Sequence, residues 1–430
     1  MTEPFRIGIA GLGTVGSGVV KIITQNKDII TQRAGREIQI VAVSARNKNC
    51  DRGVSINEYQ WVDNAADIST MEGVNAVIEL IGGSEGIAAD VVRGSLGNNR
   101  HVVTANKALL AHHGLELARV AEQNNVCLMY EAAVAGGIPI IKAMREGLAA
   151  NKFLAVYGIL NGTCNYILTK MQKTGQDFAD VLQEAQDLGY AEADPAFDVD
   201  GIDAAHKLCL LTSIAFGVKP DFDALKITGI RHINATDIKF ADEFGYRIKL
   251  LGITRRIGDK IMQVLEPCLV PTNSPMGMID DVYNAVYAEG DFVETPLLTG
   301  KGAGEGPTAS SVVADIIDLA RGKCIPTFGI PVDKLEDGQW IDLGETTSRY
   351  YLRMMVTDKP GVIASVAAIL RDNDISIEGM VQSGRDPGQS VPVVLTLHES
   401  KQANVQNAIQ CIEEQDYCSE KPCVMRIEEL

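Results

Sequence analysis

The stretch FRIGIAGLGTVGSGVVKIITQNKDII, from Phe5 to Ile30, decides the fold. Phe5 to Ala10 is a short apolar run that reads as a buried strand. Gly11, Gly13 and Gly16 follow, with Thr14 and Val15 between the last two, and then the amphipathic run SGVVKIITQNKDII reads as a helix. Strand, G-x-G-x-x-G and helix, in that order, form a cradle for a dinucleotide. The first glycine makes the tight turn, the second admits a pyrophosphate close to the backbone, and the third lets the helix pack on the strand. The unpaired N–H groups at the helix start then face the phosphates.

The next segment, IQIVAVSARN from Ile38 to Asn47, bears on the choice of cofactor. An acid at the end of this strand reads the ribose 2′-hydroxyl of NAD, whereas a cation suits the 2′-phosphate of NADP. Here the strand runs into Arg46 and Lys48, with no acid before Asp51, so NADP is expected. NAD stays open, because both cations also read as exposed surface charges. VNAVIELIGG, Val74 to Gly83, is another buried strand, whose end puts Ile81 and Gly82 at the carboxyl edge of a parallel sheet. A helix over Gly86 to Leu96 and a strand from His101 to Thr104 follow, with Asn106 and Lys107 opening the next helix. Lys107 at that edge could reach cofactor or substrate; a plain surface lysine is the equal alternative. VCLMYEAAVAGGIPII then sets Glu131 at a strand end entering a glycine turn. The reading is α/β, with a Rossmann-like first unit.

Bulk properties narrow the rest. The chain has 430 residues, 46% of them apolar, which is enough for two to four domains. A net charge of −17 argues against nucleic acid and anionic membranes as partners. No apolar run approaches the roughly 18 residues of a membrane span, and no basic-then-apolar leader precedes the first strand. Nine cysteines scattered singly suggest a reduced, cytoplasmic chain without a disulfide framework. The six histidines stand without partners at metal-ligand spacing.

Beyond the first unit, GYAEADPAFDVDGIDAAHK, Gly189 to Lys207, holds Glu192, Asp194, Asp198, Asp200 and Asp203 against one lysine, with Asp187 just upstream. Asp203 and Lys207 stand four apart at the start of a helical run, and so share a face. A solvated acidic loop with a salt bridge is the plain reading. A grip for a zwitterionic amino acid, with Lys207 as proton donor, is the functional one. Cys164, in NGTCNYIL, reads as a small buried side chain rather than a nucleophile, since no histidine base is placed beside it. His206 reads as structural. Strands over Phe153 to Leu160, RIKLLGITRRI and IMQVLEPCLV, with helices at Tyr166 to Gln172, Phe178 to Leu188 and Ala204 to Ala215, suggest an α+β unit. One face of its sheet is expected to be open for dimer contact. Glycines at 300, 302, 304 and 306 precede Pro307 and a helix to about Ala320. They leave backbone bare for a ligand, or else serve as a flexible link. A turn-rich linker then leads to YYLRMMVTDKPGVIASVAAILRDNDISIEGMVQSG, VPVVLTLHES, a helix from about Gln402 and CVMRIEEL, together βαββαβ.

The motifs GLGTVG, TANKALL, YEAAVAGGIPII, GILNGTCNYIL, the Gly189–Lys207 block and GKGAGEGPTAS, in this order, resemble homoserine dehydrogenase in the bacterial form with a C-terminal ACT domain. The resemblance covers the whole chain. It implies a Rossmann-like unit over 1–135 completed by the helix 307–321, a substrate-binding and dimerisation unit over 136–306, a linker over 331–349 and an ACT unit over 350–430. It implies reversible NAD(P)-dependent reduction of L-aspartate 4-semialdehyde to L-homoserine, on the route to threonine and methionine. Carried over position by position, Lys207 is the proton donor, with Asp203 beside it. Gly189, Glu192, Asp198, Asp203 and Lys107 meet substrate. Thr104, Lys107 and Gly304 join Gly11 to Gly16, Arg46, Lys48, Ile81 and Gly82 at the cofactor. Glu131 and the carbonyls of Val134, Gly136 and Ile138 are expected to hold a monovalent cation, sodium, by aiming alternate carbonyls of an extended segment at one hard ion. Threonine is the expected effector, meeting the ACT helix at Gly361, and a homodimer or homotetramer the expected assembly. Two other classes compete: a phosphorylating semialdehyde dehydrogenase, which needs a placed cysteine, and a non-enzymatic sensor, against which the presence of Glu192, Asp203 and Lys207 argues.

Overall fold

The computed structural model describes residues 3–382 and 389–430; Ser383 and Gly384, at the end of the quoted ACT stretch, lie outside them. The first unit opens with β1 (Phe5–Ala10) and α1 (Thr14–Gln25). The expected single helix breaks at Asn26, where the backbone leaves helical geometry, and resumes as α2 (Lys27–Ala34). Then come β2 (Ile38–Ser44), β3 (Gln60–Trp61), β4 (Ala76–Glu79), α3 (Ile87–Gly97), β5 (His101–Thr104), α4 (Lys107–Gln123) and β6 (Leu128–Met129). The six strands form a parallel sheet in the order β3-β2-β1-β4-β5-β6. The order reverses beside β1, which opens a crevice at the carboxyl ends where the glycine loop lies.

The chain leaves this sheet through a 3₁₀ turn, Glu131–Ala133, and the short helix α5 (Ile140–Lys142). The extended segment expected after Glu131 is interrupted: Val134 is extended, but Ala135 and Gly136 both adopt positive φ. The second unit follows as β7 (Phe153–Ile159), α6 (Gly162–Thr174), α7 (Phe178–Asp187), α8 (Ala196–Val199), α9 (Ile202–Phe216), β8 (Lys226–Ile227), α10 (Ala235–Glu243), β9 (Tyr246–Ile257), β10 (Lys260–Pro271), β11 (Tyr283–Gly290) and β12 (Leu297–Lys301). The helix α11 (Glu305–Ala320) returns to the first unit and packs on α1, burying Ala309, Val312 and Ile316 with Val19, Val20 and Ile23. Its return explains why Gly18 lacks a side chain: an added Cβ would lie 2.8 Å from the Glu305 side chain.

The last unit is β13 (Thr347–Thr357), α12 (Val362–Asp372), β14 (Ile377–Gln382), β15 (Ser390–Lys401), α13 (Gln402–Glu413) and β16 (Cys423–Ile427). Its sheet joins the substrate sheet. β16 pairs in parallel with β10 through Cys268–Arg426 and Leu269–Ile427, giving the order β12-β11-β7-β9-β10-β16-β13-β15-β14. The segment read as a linker is likewise tied down, by bridges Val218–Glu336 and Ile261–Trp340 and by Trp340 Nε1 donating to Asp221 at 2.9 Å.

Two expectations are corrected here. The second face of the substrate sheet carries its own apolar cluster, including Tyr157, Ile253 and Met262, against which Ile279, Ile341 and Leu343 pack, so it is not simply open. Cys127 and Cys324 form a disulfide, joining β6 to the chain after α11 across 197 residues of sequence. Single scattered cysteines give no sign of such a pairing, because only the return of α11 makes them neighbours.

Candidate active site

Asn161 organises the substrate side. It follows β7 and caps α6, its Oδ1 accepting from Cys164 N at 2.8 Å. Its Nδ2 donates to Asp198 Oδ1 and to Asp203 Oδ2, both at 2.8 Å. One amide, with two donors and an acceptor, thus fixes the start of α6, the acidic loop and the start of α9. Asp203 sits in the first turn of α9, behind Gly201 at φ 90°, where the helix end favours an anion. One turn on, Lys207 Nζ donates to Asp203 Oδ2 and to the Leu160 carbonyl, each at 2.7 Å. From the other unit, Lys107 at the start of α4 brings Nζ to 3.0 Å of Asp203 Oδ1. It also lies 5.7 Å from the centre of the Phe197 ring.

Asp203 is therefore shared by two lysines, one on each oxygen, and is 6% exposed. Burial pushes its carboxyl up, but Lys207, Lys107 and Asn161 together overcome that and hold it well below the usual carboxylate range. Asp198 Oδ1 accepts from Asn161, and burial pushes its carboxyl up. The other acids of the loop separate cleanly: Asp200 pairs with Arg231, Asp194 caps Ala196 N, and Asp187 accepts from Gln183.

A cavity of about 640 Å³ opens above this cluster. Gly189, Glu192, Asp198, Asp203, Lys107 and Lys207 line it, so every residue expected at the substrate converges there. Val15 of the glycine loop and Gly304 line the same cavity. Glu192 is exposed on its rim, its backbone carbonyl held by Gln186 at 2.9 Å.

A second cavity, about 490 Å³, runs past Gly11, Gly13, Arg46 and Ile81. A Cβ on Gly11 would meet the Leu80 carbonyl at 2.5 Å and one on Gly16 the Gly11 carbonyl at 2.1 Å, whereas Gly13 faces open space. That is the shape expected where a ligand, not protein, approaches the middle glycine. Arg46 lines this cavity; Lys48 instead holds Nζ 5.8 Å from the Trp61 ring centre. Arg52, beyond the point where the strand end was read, also lines it and donates to the Leu12 carbonyl at 3.1 Å. Ile81 and Gly82 present their N–H groups to Glu79 Oε1 at 2.7 and 3.1 Å. Thr104 does not line either cavity: it is fully buried and donates its hydroxyl to Glu79 Oε2 at 2.5 Å. Glu79 thus knots the carboxyl ends of two strands, a role that an acid inside an apolar strand could have signalled.

Glu131 is buried, its two oxygens accepting from Ile141 N at 2.9 Å and Lys142 N at 2.8 Å. Burial and the nearby Asp315 push its carboxyl up to about 7. Lys142 pairs with Asp315 and Asp318 rather than with Glu131. The Gly136 carbonyl accepts from the Ser311 hydroxyl at 2.7 Å and that of Ile138 from Ile140 N at 2.8 Å, while Val134 is fully buried. Cys164 is buried with Sγ 3.3 Å from the Asp198 carbonyl, and burial pushes its thiol well up. His206 stacks on Phe222 and faces His112; burial and His112 bring it down to about 4, away from the cavity chemistry.

Comparison with known proteins identifies the family. The family model for the homoserine dehydrogenase NAD-binding domain matches residues 11–131, that for homoserine dehydrogenase itself 139–317, and that for the ACT domain 350–416. The chain is 43% identical to the homoserine dehydrogenase of Neisseria gonorrhoeae, covering 100% of this chain and 99% of the relative. The crystal structure of a homoserine dehydrogenase from Thiobacillus denitrificans superposes with a TM-score of 0.94 at 42% identity, over 99% of both chains. A hyperthermophilic archaeal homoserine dehydrogenase in complex with NADPH matches at 26% identity and a TM-score of 0.62, over 74% of this chain and 97% of its own. The chain belongs to the homoserine dehydrogenase family.

Proposed function

We propose that the protein interconverts L-homoserine and L-aspartate 4-semialdehyde with a nicotinamide dinucleotide, NADP in preference to NAD. The carrying observation is Asp203, shared by Lys207 and Lys107 at the floor of a cavity whose other wall holds Val15 and Gly304. The bound nicotinamide supplies the hydride acceptor or donor. The chain must then manage the charge and proton at the substrate oxygen. Lys207 has one N–H left after Asp203 and Leu160. That donor protonates the oxygen in the reducing direction, and the same nitrogen receives the hydroxyl proton in the oxidising one. Lys107 adds a second positive charge and Asp203 keeps both ammonium groups aimed. Glu192, with Asp198 and the Gly189 backbone, takes the substrate's ammonium end. Arg46 and, after a rotamer change, Lys48 would meet the 2′-phosphate; Gly11, Gly13, Val15, Ile81 and Gly304, which line the two cavities, together with Thr14, Gly16 and Gly82 beside them, would take the rest, with Thr104 acting through Glu79.

Glu131 and the carbonyls of Val134, Gly136 and Ile138 would hold a monovalent cation. The fit rests on donor chemistry: all are oxygens, and those of Glu131, Gly136 and Ile138 each keep a lone pair after the hydrogen bond they accept. Glu131 also has no ion-pair partner among the described residues and stands near the buried Asp315. The ACT unit supports regulation by an amino acid, threonine on this reading, in a cytoplasmic homo-oligomer that feeds threonine and methionine synthesis. The competing thioester chemistry has no support at Cys164, whose thiol burial suppresses. The test is NADP⁺ reduction with L-homoserine. Turnover by the wild type and its loss in Lys207→Ala are expected. A silent wild type, or an alanine variant with full turnover, would end the proposal.

A further inference from the structure

Asn161 lies just past the end of β7, 5% exposed and in the wall of the substrate cavity. Its place is held from the far side, because a Cβ on the next residue, Gly162, would stand 2.7 Å from the Val282 carbonyl. From this base two consecutive residues reach the charge cluster. The Leu160 carbonyl accepts from Lys207 Nζ at 2.7 Å, and Asn161 Nδ2 donates to Asp203 Oδ2 and to Asp198 Oδ1, both at 2.8 Å. Capping of α6 accounts only for the other end of the side chain, Oδ1, which accepts from Cys164 N. Aspartate or serine caps a helix as well as asparagine does. Neither carries an –NH₂ group, whose two N–H bonds can serve two acceptors at once. Asparagine here is the capping residue that also ties two carboxylates together.

The tie bears on the proton. Asp203 Oδ2 accepts from both Asn161 Nδ2 and Lys207 Nζ. An amide on one side of that oxygen leaves the ammonium the other side. Lys207 spends one N–H on Oδ2 and one on the Leu160 carbonyl, and with two of its three directions taken the third is set as well. The same amide holds Asp198, which lines the cavity beside Asp203. Two carboxylates gathered around one nitrogen repel each other, so loss of the amide lets both turn away. We infer that Asn161 is a positioning residue for the reaction: its amide aims Lys207 through Asp203 and fixes Asp198 relative to it, so that the reacting end and the ammonium end of the substrate stay in register. The inference rests on the roles proposed for Lys207 and Asp198. It adds a requirement of its own, the pair of donors at residue 161 rather than its capping oxygen.

Asn161→Ser and Asn161→Asp keep a capping oxygen and lose the amide. In NADP⁺ reduction with L-homoserine by the full-length protein, kcat should fall about tenfold or more in the serine variant. It should fall further in the aspartate variant, where a third carboxylate joins the two, and the KM for homoserine should rise in both. A residue that only caps α6 would give the opposite order, with aspartate close to wild type. That order, or a kcat within about threefold of wild type in both variants, overturns the inference. In an Asp203→Ala background the amide has lost the acid through which it aims Lys207, so Asn161→Ser should lower kcat no further. A loss by the same factor in both backgrounds would place the effect in the fold and overturn the inference. So would thermal unfolding that shows the Asn161 variants already unfolded at the assay temperature. Full turnover by Lys207→Ala would bring down the proton-donor reading itself, whereas an inactive Lys207→Ala beside fully active Asn161 variants removes this inference alone.

Discussion

Two charge clusters flank the connection between the first two units, each with a buried acid at its centre. At the cavity floor, Lys107 and Lys207 share one firmly ionised acid, Asp203. Under the junction with α11, Lys142 is shared by Asp315 and Asp318, Arg321 reaches Asp318 as well, and Glu131 is left to backbone N–H groups. The first cluster gathers two cations on one acid and opens on a cavity; in the second, Glu131 alone of the three acids has no ion-pair partner among the described residues. Burial alone makes neither a site. What differs is which group is left over, and on the proposed reading that group says what each awaits: a growing negative charge on a substrate oxygen in one, a small cation in the other.

The sharpest way to break the comparison is to remove the spare cation. Lys207→Ala should cut kcat by about 10²–10⁴-fold, with a smaller change in KM, measured by steady-state NADP⁺ reduction. A loss confined to KM would mean that Lys207 only binds. Next comes the shared acid. Asp203→Asn leaves the buried Lys207 and the partly exposed Lys107 facing each other without their shared anion, and should cost about 3 kcal/mol of stability at neutral pH, read by urea unfolding. The sign follows from the depressed carboxyl. Its contribution is complete above the unfolded value of about 3.9 and is lost as pH falls toward the lower folded value. The gap between wild type and variant should therefore be constant from neutral pH downward and close only below about pH 4. A gap that closes earlier would mean that the lysines do not hold Asp203 as described.

Much of the first cluster was legible before any coordinates. Asp203 and Lys207 announce themselves by i,i+4 spacing at a helix start, and GLGTVG by its order between strand and helix. Local pattern is enough there because the partners are local. Lys107 was readable only as a candidate, since its meeting with Asp203 joins residues of different units. Asn161 was missed for the same reason: its two acids lie 37 and 42 residues away in sequence. Sorting the acidic loop also needed the fold, because Asp200 looks like Asp198 until Arg231 is placed beside it. In the second cluster the resemblance supplied Glu131, but the extended geometry assumed for its carbonyls gave way to a 3₁₀ turn and two positive-φ residues. The joined sheet and the Cys127–Cys324 bond depend on long-range closure, which no window of sequence contains.

Removing the unpaired acid tests the other half of the comparison. Sodium chloride, against tetramethylammonium chloride at equal ionic strength, should stabilise the wild type by about 1–3 kcal/mol, the range for 10 to 100 times a dissociation constant. Glu131→Gln should show no such increment in thermal unfolding. Equal increments in both proteins would assign Glu131 to holding the start of α5 and nothing more.

The smallest effect is expected at Cys164, and its smallness is informative. The thiol lies beneath the first cluster, donating to the Asp198 carbonyl at 3.3 Å, with no cation close enough to ionise it against the burial that pushes it up. A serine hydroxyl can keep that hydrogen bond in nearly the same volume. Cys164→Ser should therefore change kcat by less than about threefold, since no transition-state interaction is lost, and the wild type should resist inactivation by iodoacetamide at neutral pH. Rapid alkylation at Cys164 with loss of turnover would show a thiolate in the site. The charge at the cavity floor would then be organised around sulfur, and the two lysines would be its counter-ions instead of the proton donor and its neighbour.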